Sequence, residues 1–218
     1  MKPKIQLALD LTDLDEAIRI AQEASSEVDI IEVGTVLAIE SGLESVRKIR
    51  EKLPNAKILA DIRIIKAGGK LSKMAFEAGA DIVTIISDAT EETFEAVINE
   101  KNKFTDKDVL IEINDTYTDE MLNYWKKSGL THIIYHRGSE ITATNDEWNE
   151  KDFNEIKRLY EEGFKVYVTG GIGLEEIKLF KRTPVECFII GRTIAKSENV
   201  KEKAKEFKDV ISNTDWEL

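Results

Sequence analysis

Short apolar runs and amphipathic helical patterns alternate eight times along this 218-residue chain, and that count constrains its fold more than any other feature. The runs are Ile5–Leu9, Val28–Val33, Lys57–Ala60, Ile82–Ile86, Val109–Ile113, His132–Tyr135, Lys165–Val168 and Cys187–Ile190. They are rich in Ile and Val and mostly lack polar alternation, as parallel strands buried on both faces do. Between them apolar residues recur at three-and-four spacing, as in Ala17-Ile18-Ala21 and Val46-Ile49-Leu53. Thr12, Ser41, Thr90, Thr118 and Asp152 stand where N-cap residues are expected. Gly79, Gly129 and Gly163 each close a helical pattern before the next strand, where a left-handed C′ residue belongs.

No linker, low-complexity tract or composition break divides the eight units, so residues 1–218 are read as one α/β domain, a (β/α)8 TIM barrel. The chain is short for a fold that typically takes about 250 residues, yet within its range. Its 42% hydrophobic content suffices for one sizeable core. A doubly wound open sheet shares the same alternation. Against it stand the count of eight and the lack of a Gly-x-Gly-x-x-Gly after the first strand, where a dinucleotide fold carries one.

The net charge of −11 argues against nucleic-acid or anionic-membrane partners, which reward clustered Lys and Arg. The apolar run that follows the N-terminus is too short for a signal-peptide core, and no stretch approaches about 18 apolar residues, so a cytoplasmic protein is expected. The single Cys187 excludes an intramolecular disulfide and reads as a buried, inert thiol. His132, at the start of its strand, reads as structural.

In such a barrel the chemistry gathers at the C-terminal strand ends. These carry Asp10, Glu32, Asp61 with Arg63 and Lys66, Ser87-Asp88, Glu112 with Asn114, His136-Arg137, Thr169-Gly170-Gly171 and Gly191-Arg192. Polar groups at all eight exits exceed what solvation alone requires. The glycines of the last two exits allow close backbone approach to an anion, and Arg192 adds a permanent charged fork. Thr169, Gly170, Gly171, Gly191 and Arg192 are therefore expected to bind phosphate, at the usual place in this fold. Two such sites on adjacent strands favour this over glycines that merely turn the chain. Glu32 and Asp61, on neighbouring strands, are expected to share a hard divalent cation, with Mg2+ the best match to two carboxylates completed by substrate and water.

Ala8-Leu9-Asp10, the segment from Val28 to Thr35, Leu59-Ala60-Asp61, Ile111-Glu112, Tyr135-His136-Arg137, Val168-Thr169-Gly170-Gly171 and Ile190-Gly191-Arg192 resemble the 3-keto-L-gulonate-6-phosphate decarboxylases. That family sits in the orotidine-monophosphate decarboxylase suprafamily with the 3-hexulose-6-phosphate synthases, and the likeness runs from about Ile5 to Phe207. It implies a homodimer with active sites at the interface. Asp10 would contact substrate, Glu32 and Asp61 would hold Mg2+, and Glu112 would orient its neighbours. His136 would handle protons as carbon dioxide or formaldehyde leaves an enediolate.

The chain departs from the family's Asp-x-Lys-x-x-Asp motif, reading Asp61-Ile62-Arg63-Ile64-Ile65-Lys66. Formal charge goes from −1 (two Asp, one Lys) to +1 (Asp61 against Arg63 and Lys66). Arg63 can donate hydrogen bonds to an enediolate but cannot release a proton at neutral pH. Proton return then falls to His136, Lys66 or water, and the added charge could weaken Mg2+ binding. Ser139 stands where the decarboxylases usually carry Arg. The 138–150 loop, with Trp148, is either a lid or a surface excursion.

The leading expectation is a carboxy-lyase acting on a keto-sugar-acid phosphate. The alternatives are an aldehyde-lyase of the hexulose-phosphate synthase type, a ketose-phosphate epimerase, and a non-catalytic sugar-phosphate binder, the last including a member that has lost catalysis.

Overall fold

The computed structural model describes residues 2–137 and 147–217. Eight strands, β1 (Lys4–Leu9), β2 (Ile30–Val33), β3 (Lys57–Ile64), β4 (Ile82–Ile86), β5 (Asp108–Ile113), β6 (His132–His136), β7 (Lys165–Thr169) and β8 (Cys187–Ile190), pair in chain order. Every pairing is parallel, and β8 returns to β1 to close the barrel. The expected (β/α)8 barrel is therefore the fold.

The helices are α1 (Leu14–Ala24), α2 (Thr35–Ser41), α3 (Glu44–Lys52), α4 (Gly68–Ala78), α5 (Glu91–Lys101), α6 (Asp119–Lys127), α7 (Glu150–Glu161), α8 (Leu174–Leu179), α9 (Arg192–Ala195) and α10 (Val200–Asn213). They lay their apolar stripes on the outer barrel wall, as α1 does with Ala17, Ile20, Ala21 and Ala24. A second, smaller core fills the barrel itself: Ala8, Ile30, Leu59, Ile82, Leu110, Ile134, Tyr167, Cys187 and Ile189. Cys187 is fully buried there, and burial pushes its thiol well above the usual range, which keeps it un-ionised and inert. His132 lies at the opposite end from the strand exits, with Nδ1 3.3 Å from Asp108, and burial lowers its pKa.

Thr90 and Thr118 cap α5 and α6 as expected, and Gly79, Gly129 and Gly163 adopt φ of +109°, +75° and +95°. Three caps differ. Asp13, not Thr12, caps α1, because its carboxylate reaches the Glu16 amide. Ser41 ends the short helix α2, and the next helix starts from Leu43. Asp152 sits three residues inside α7 and completes a capping box with the true N-cap, Asn149.

β3 runs four residues beyond the apolar stretch that announces it. Ala60 pairs with Val83 and Ile64 with Ile85, so Asp61, Ile62 and Arg63 together face the single residue Thr84. This bulge holds Arg63 at φ +43°, a left-handed conformation uncommon for a side chain with a Cβ.

Candidate active site

Side chains alternate across a strand, so the residue two positions beyond each inner-core residue also points into the barrel. From Ala8, Ile30, Leu59, Ile82, Leu110, Ile134, Tyr167 and Ile189, that step leads to Asp10, Glu32, Asp61, Thr84, Glu112, His136, Thr169 and Gly191. One polar layer thus caps the apolar filling. Above it opens a cleft of about 610 Å3, with Ala8, Ile134 and Ile189 in its floor. Asp10, Glu32, Asp61, Arg63, Glu112 and His136 line one part, and Thr169, Gly170, Gly171, Gly191 and Arg192 another.

Asp61 is buried and held on both oxygens. Thr84 Oγ1 donates to Oδ1 at 2.7 Å and Thr35 Oγ1 to Oδ2 at 2.5 Å, while Arg63 Nε approaches Oδ2 at 3.4 Å. Arg63 Nε also lies 3.3 Å from Glu112 Oε2, so the guanidinium bridges the two acids. Desolvation works against its charge, but Glu112 and Asp61 outweigh it and raise the Arg63 pKa. With 43% of its side chain exposed, Arg63 still presents a face to a molecule in the cleft. Glu112 Oε1 meets His136 Nδ1 at 2.7 Å. A carboxylate only accepts, so Nδ1 carries the proton and Nε2 is the ring nitrogen left for other work.

Glu32 accepts from Gln6 Nε2 at 2.5 Å. Burial pushes its carboxyl well above the usual range, Asp61 adds to this, and the Gln6 amide opposes it. Asp10 is raised by desolvation, with the Asp61 charge adding and the Val36 amide, 3.3 Å away, opposing. A side chain on Gly34 would collide with the Asp10 carboxylate, so glycine there lets β2 pass close to that acid. Gln6 Oε1 is buried without a hydrogen-bond partner among the described residues, a state that costs about 1–3 kcal/mol.

Glu32 and Asp61 are two buried carboxyl groups offering hard oxygen donors, and a divalent cation would favour the ionised form of both that burial and their mutual repulsion oppose. Among the described residues no group of three or more His, Cys, Asp and Glu is arranged as a metal cage. Two carboxylates with open positions fit Mg2+, which keeps several waters and binds through one or two protein oxygens. The donor set suits such an ion, with Arg63 as a competing positive charge beside Asp61.

At the other end, Gly170 and Gly171 take φ of +108° and +68°. A Cβ on Gly170 would strike the Arg137 carbonyl, so only glycine lets this loop lie against β6. Arg137 and Lys196 join Arg192 in the lining, which gathers positive charge where the glycines expose backbone.

The structure adds detail to the sequence reading at several exits. Lys66 is exposed outside the cleft of its own chain, at the turn into α4 where Ala67 takes φ +55°. At the fourth exit the layer is completed by Thr84; Ser87 and Asp88 lie beyond it, with Ser87 Oγ taking the Asn114 amide and Asp88 taking its side chain. Gln6, Thr35, Thr84 and Lys196 are not among the site residues read from the sequence, although the period-two step from Ile82 leads to Thr84, and Arg137 is read there only as a neighbour of His136 at the sixth exit. Residues 138–146, including Ser139 and most of the 138–150 loop read as either a lid or a surface excursion, lie outside the described residues. Trp148 is buried, with the Arg137 guanidinium 4.8 Å from its ring centroid.

Fold and site define a (β/α)8 barrel with a polar cleft at the C-terminal strand ends. The chain belongs to the Orotidine 5'-phosphate decarboxylase / HUMPS family, which it matches over residues 3–207. It is 40% identical over 210 residues to the 3-keto-L-gulonate-6-phosphate decarboxylase UlaD of Salmonella paratyphi B, covering 96% of this chain and 97% of that one. A crystal structure of KGPDC from Streptococcus mutans superposes with a TM-score of 0.94 at 35% identity, covering 97% and 98% of the two chains. The 3-hexulose-6-phosphate synthase of Salmonella typhimurium gives 0.87 at 25% identity, covering 97% and 99%.

Proposed function

We propose that this chain is a carboxy-lyase acting on a keto-sugar-acid phosphate such as 3-keto-L-gulonate 6-phosphate. The observation that carries this reading is the division of one cleft between an acidic layer (Asp10, Glu32, Asp61, Glu112) and a glycine–arginine end, in a chain 40% identical to a decarboxylase of that substrate.

Gly170, Gly171, Gly191 and Arg192, with Thr169 beside them, bind the phosphate and fix the sugar across the floor. Asp10 contacts the sugar near the reacting carbons. Glu32 and Asp61 hold Mg2+, which when bound supplies Lewis-acid stabilisation of the negative charge developing on substrate oxygens. As the carbon–carbon bond breaks, carbon dioxide departs and its electron pair passes into an enediolate. Arg63 donates hydrogen bonds to that anion from a position fixed by Asp61 and Glu112. It keeps its own proton, so return falls to His136, which Glu112 holds through Nδ1–H and which, as imidazolium, gives its Nε2 proton to carbon directly or through water and is left neutral.

The same reading makes the protein a homodimer. Ile39 and Ile65, exposed apolar side chains on the segments that follow β2 and β3, support a second copy packing there, with Lys66 beside Ile65 reaching that copy's cleft. Phosphorylated sugars are retained in the cytoplasm, the compartment this reading assigns. None of the described helices is long and apolar enough to cross a membrane.

The test follows keto-sugar phosphates by NMR in D2O with and without Mg2+. Carbon dioxide release from the keto acid, with deuterium in the pentulose phosphate, is the expected result. Formaldehyde release from a hexulose phosphate, without decarboxylation, would move the assignment to the aldol reaction. Deuterium entering unreacted substrate would indicate an epimerase. Thermal stabilisation by phosphate esters with no product would indicate a binder.

A further inference from the structure

Gln6 lies one inward step below the floor of the cleft, is wholly buried and does not line the cleft. On β1 it pairs in register with Ile30, while Ala8, two residues on, pairs with Glu32. The Gln6 side chain therefore reaches diagonally upward, past the small Ala8, to place Nε2 2.5 Å from Glu32 Oε2. Its other end gains nothing, because Oε1 has no hydrogen-bond partner among the described residues. An apolar side chain of the same length would fill the space without stranding a buried acceptor, so the amide is poorly explained by stability. Its one observed partner is an acid of the polar layer.

We propose that Gln6 is a positioning residue for the divalent-cation site. By engaging Glu32 Oε2 from beneath, it sets the rotation of the carboxylate and leaves Oε1 as the oxygen offered to the ion. This rests on the reading that Glu32 and Asp61 bind a divalent cation. Partners behind a metal ligand typically change metal affinity about 10–100-fold when removed.

The experiment titrates Mn2+ into the full-length protein and into Gln6→Met by calorimetry and electron paramagnetic resonance, with melting temperatures recorded without metal. The expected result is a Kd for Mn2+ raised about 10–100-fold in Gln6→Met, with a metal-free melting temperature at or above the parent's. A second variant, Gln6→Asn, keeps an amide but shortens its reach, and is expected to weaken Mn2+ as well; it carries the test if Gln6→Met does not fold. Parent-like affinity in a folded variant would overturn the role of Gln6 while leaving the cation site standing. Failure of the parent itself to bind Mn2+ would remove the cation reading and this role together.

Discussion

Thr84 Oγ1 donates to Asp61 Oδ1 at 2.7 Å while accepting the Arg63 backbone N–H at 2.9 Å. One hydroxyl on β4 thereby ties together the acid and the strained backbone of the β3 bulge. Thr84→Val keeps the shape but strands a buried carboxylate oxygen and an amide. The expected loss is about 1–3 kcal/mol of stability, measured by urea unfolding, with a lower kcat because Asp61 and Arg63 both lose their reference point.

Arg63 holds a left-handed φ of +43° that a glycine would adopt without strain. Backbone strain of this kind costs of order 1–3 kcal/mol. Arg63→Gly is therefore expected to melt no lower than the parent, while kcat/KM falls about 100–1000-fold, as when one donor to a developing anion is removed. A folded Arg63→Gly with parental turnover would remove Arg63 from the chemistry.

Glu32 is raised by burial and by Asp61, so the folded protein holds a proton there more tightly than the unfolded chain does. Between the ordinary value of 4.5 and the raised one, the native state binds more protons, and stability falls as pH rises through that window. Glu32→Gln removes this penalty. It is expected to raise stability more at pH 8 than at pH 5, with about 2–4 °C in Tm for each kcal/mol relieved, and to abolish cation binding. Denaturant titrations of both proteins at the two pH values check the sign.

Arg192 lines the glycine end of the cleft. Hydrogen bonds to charged groups contribute about 1.5–3 kcal/mol, so Arg192→Ala is expected to raise KM about 10–100-fold. Inhibition by inorganic phosphate should weaken in parallel. An unchanged phosphate inhibition constant would relocate the phosphate.

Much of this molecule was legible before it folded. Parallel strands buried on both faces leave dense Ile and Val runs, so the eight units and their barrel could be counted. Asp10, Asp61 and His136 follow directly on those runs, Glu32 and Glu112 are the penultimate residues of theirs, and the period of two carries all five inward. The glycines before Arg192 and after Thr169 stood out because close backbone approach excludes a Cβ, as at Gly170.

The tertiary structure decided which of these groups touch. Asp61 takes its hydroxyl donors from residues 23 and 26 positions away, and Glu32 its amide from 26 positions away. Such pairs are neighbours only because adjacent strands lie side by side in a given register. The β3 bulge leaves no mark in hydrophobic periodicity, since one register shift alters hydrogen bonding without altering residue type. It nevertheless sets Arg63 between Asp61 and Glu112, and the turn that follows carries Lys66 out of its own cleft. The residues of the site were set by local pattern, and their chemistry by the cross-strand contacts that only barrel closure creates.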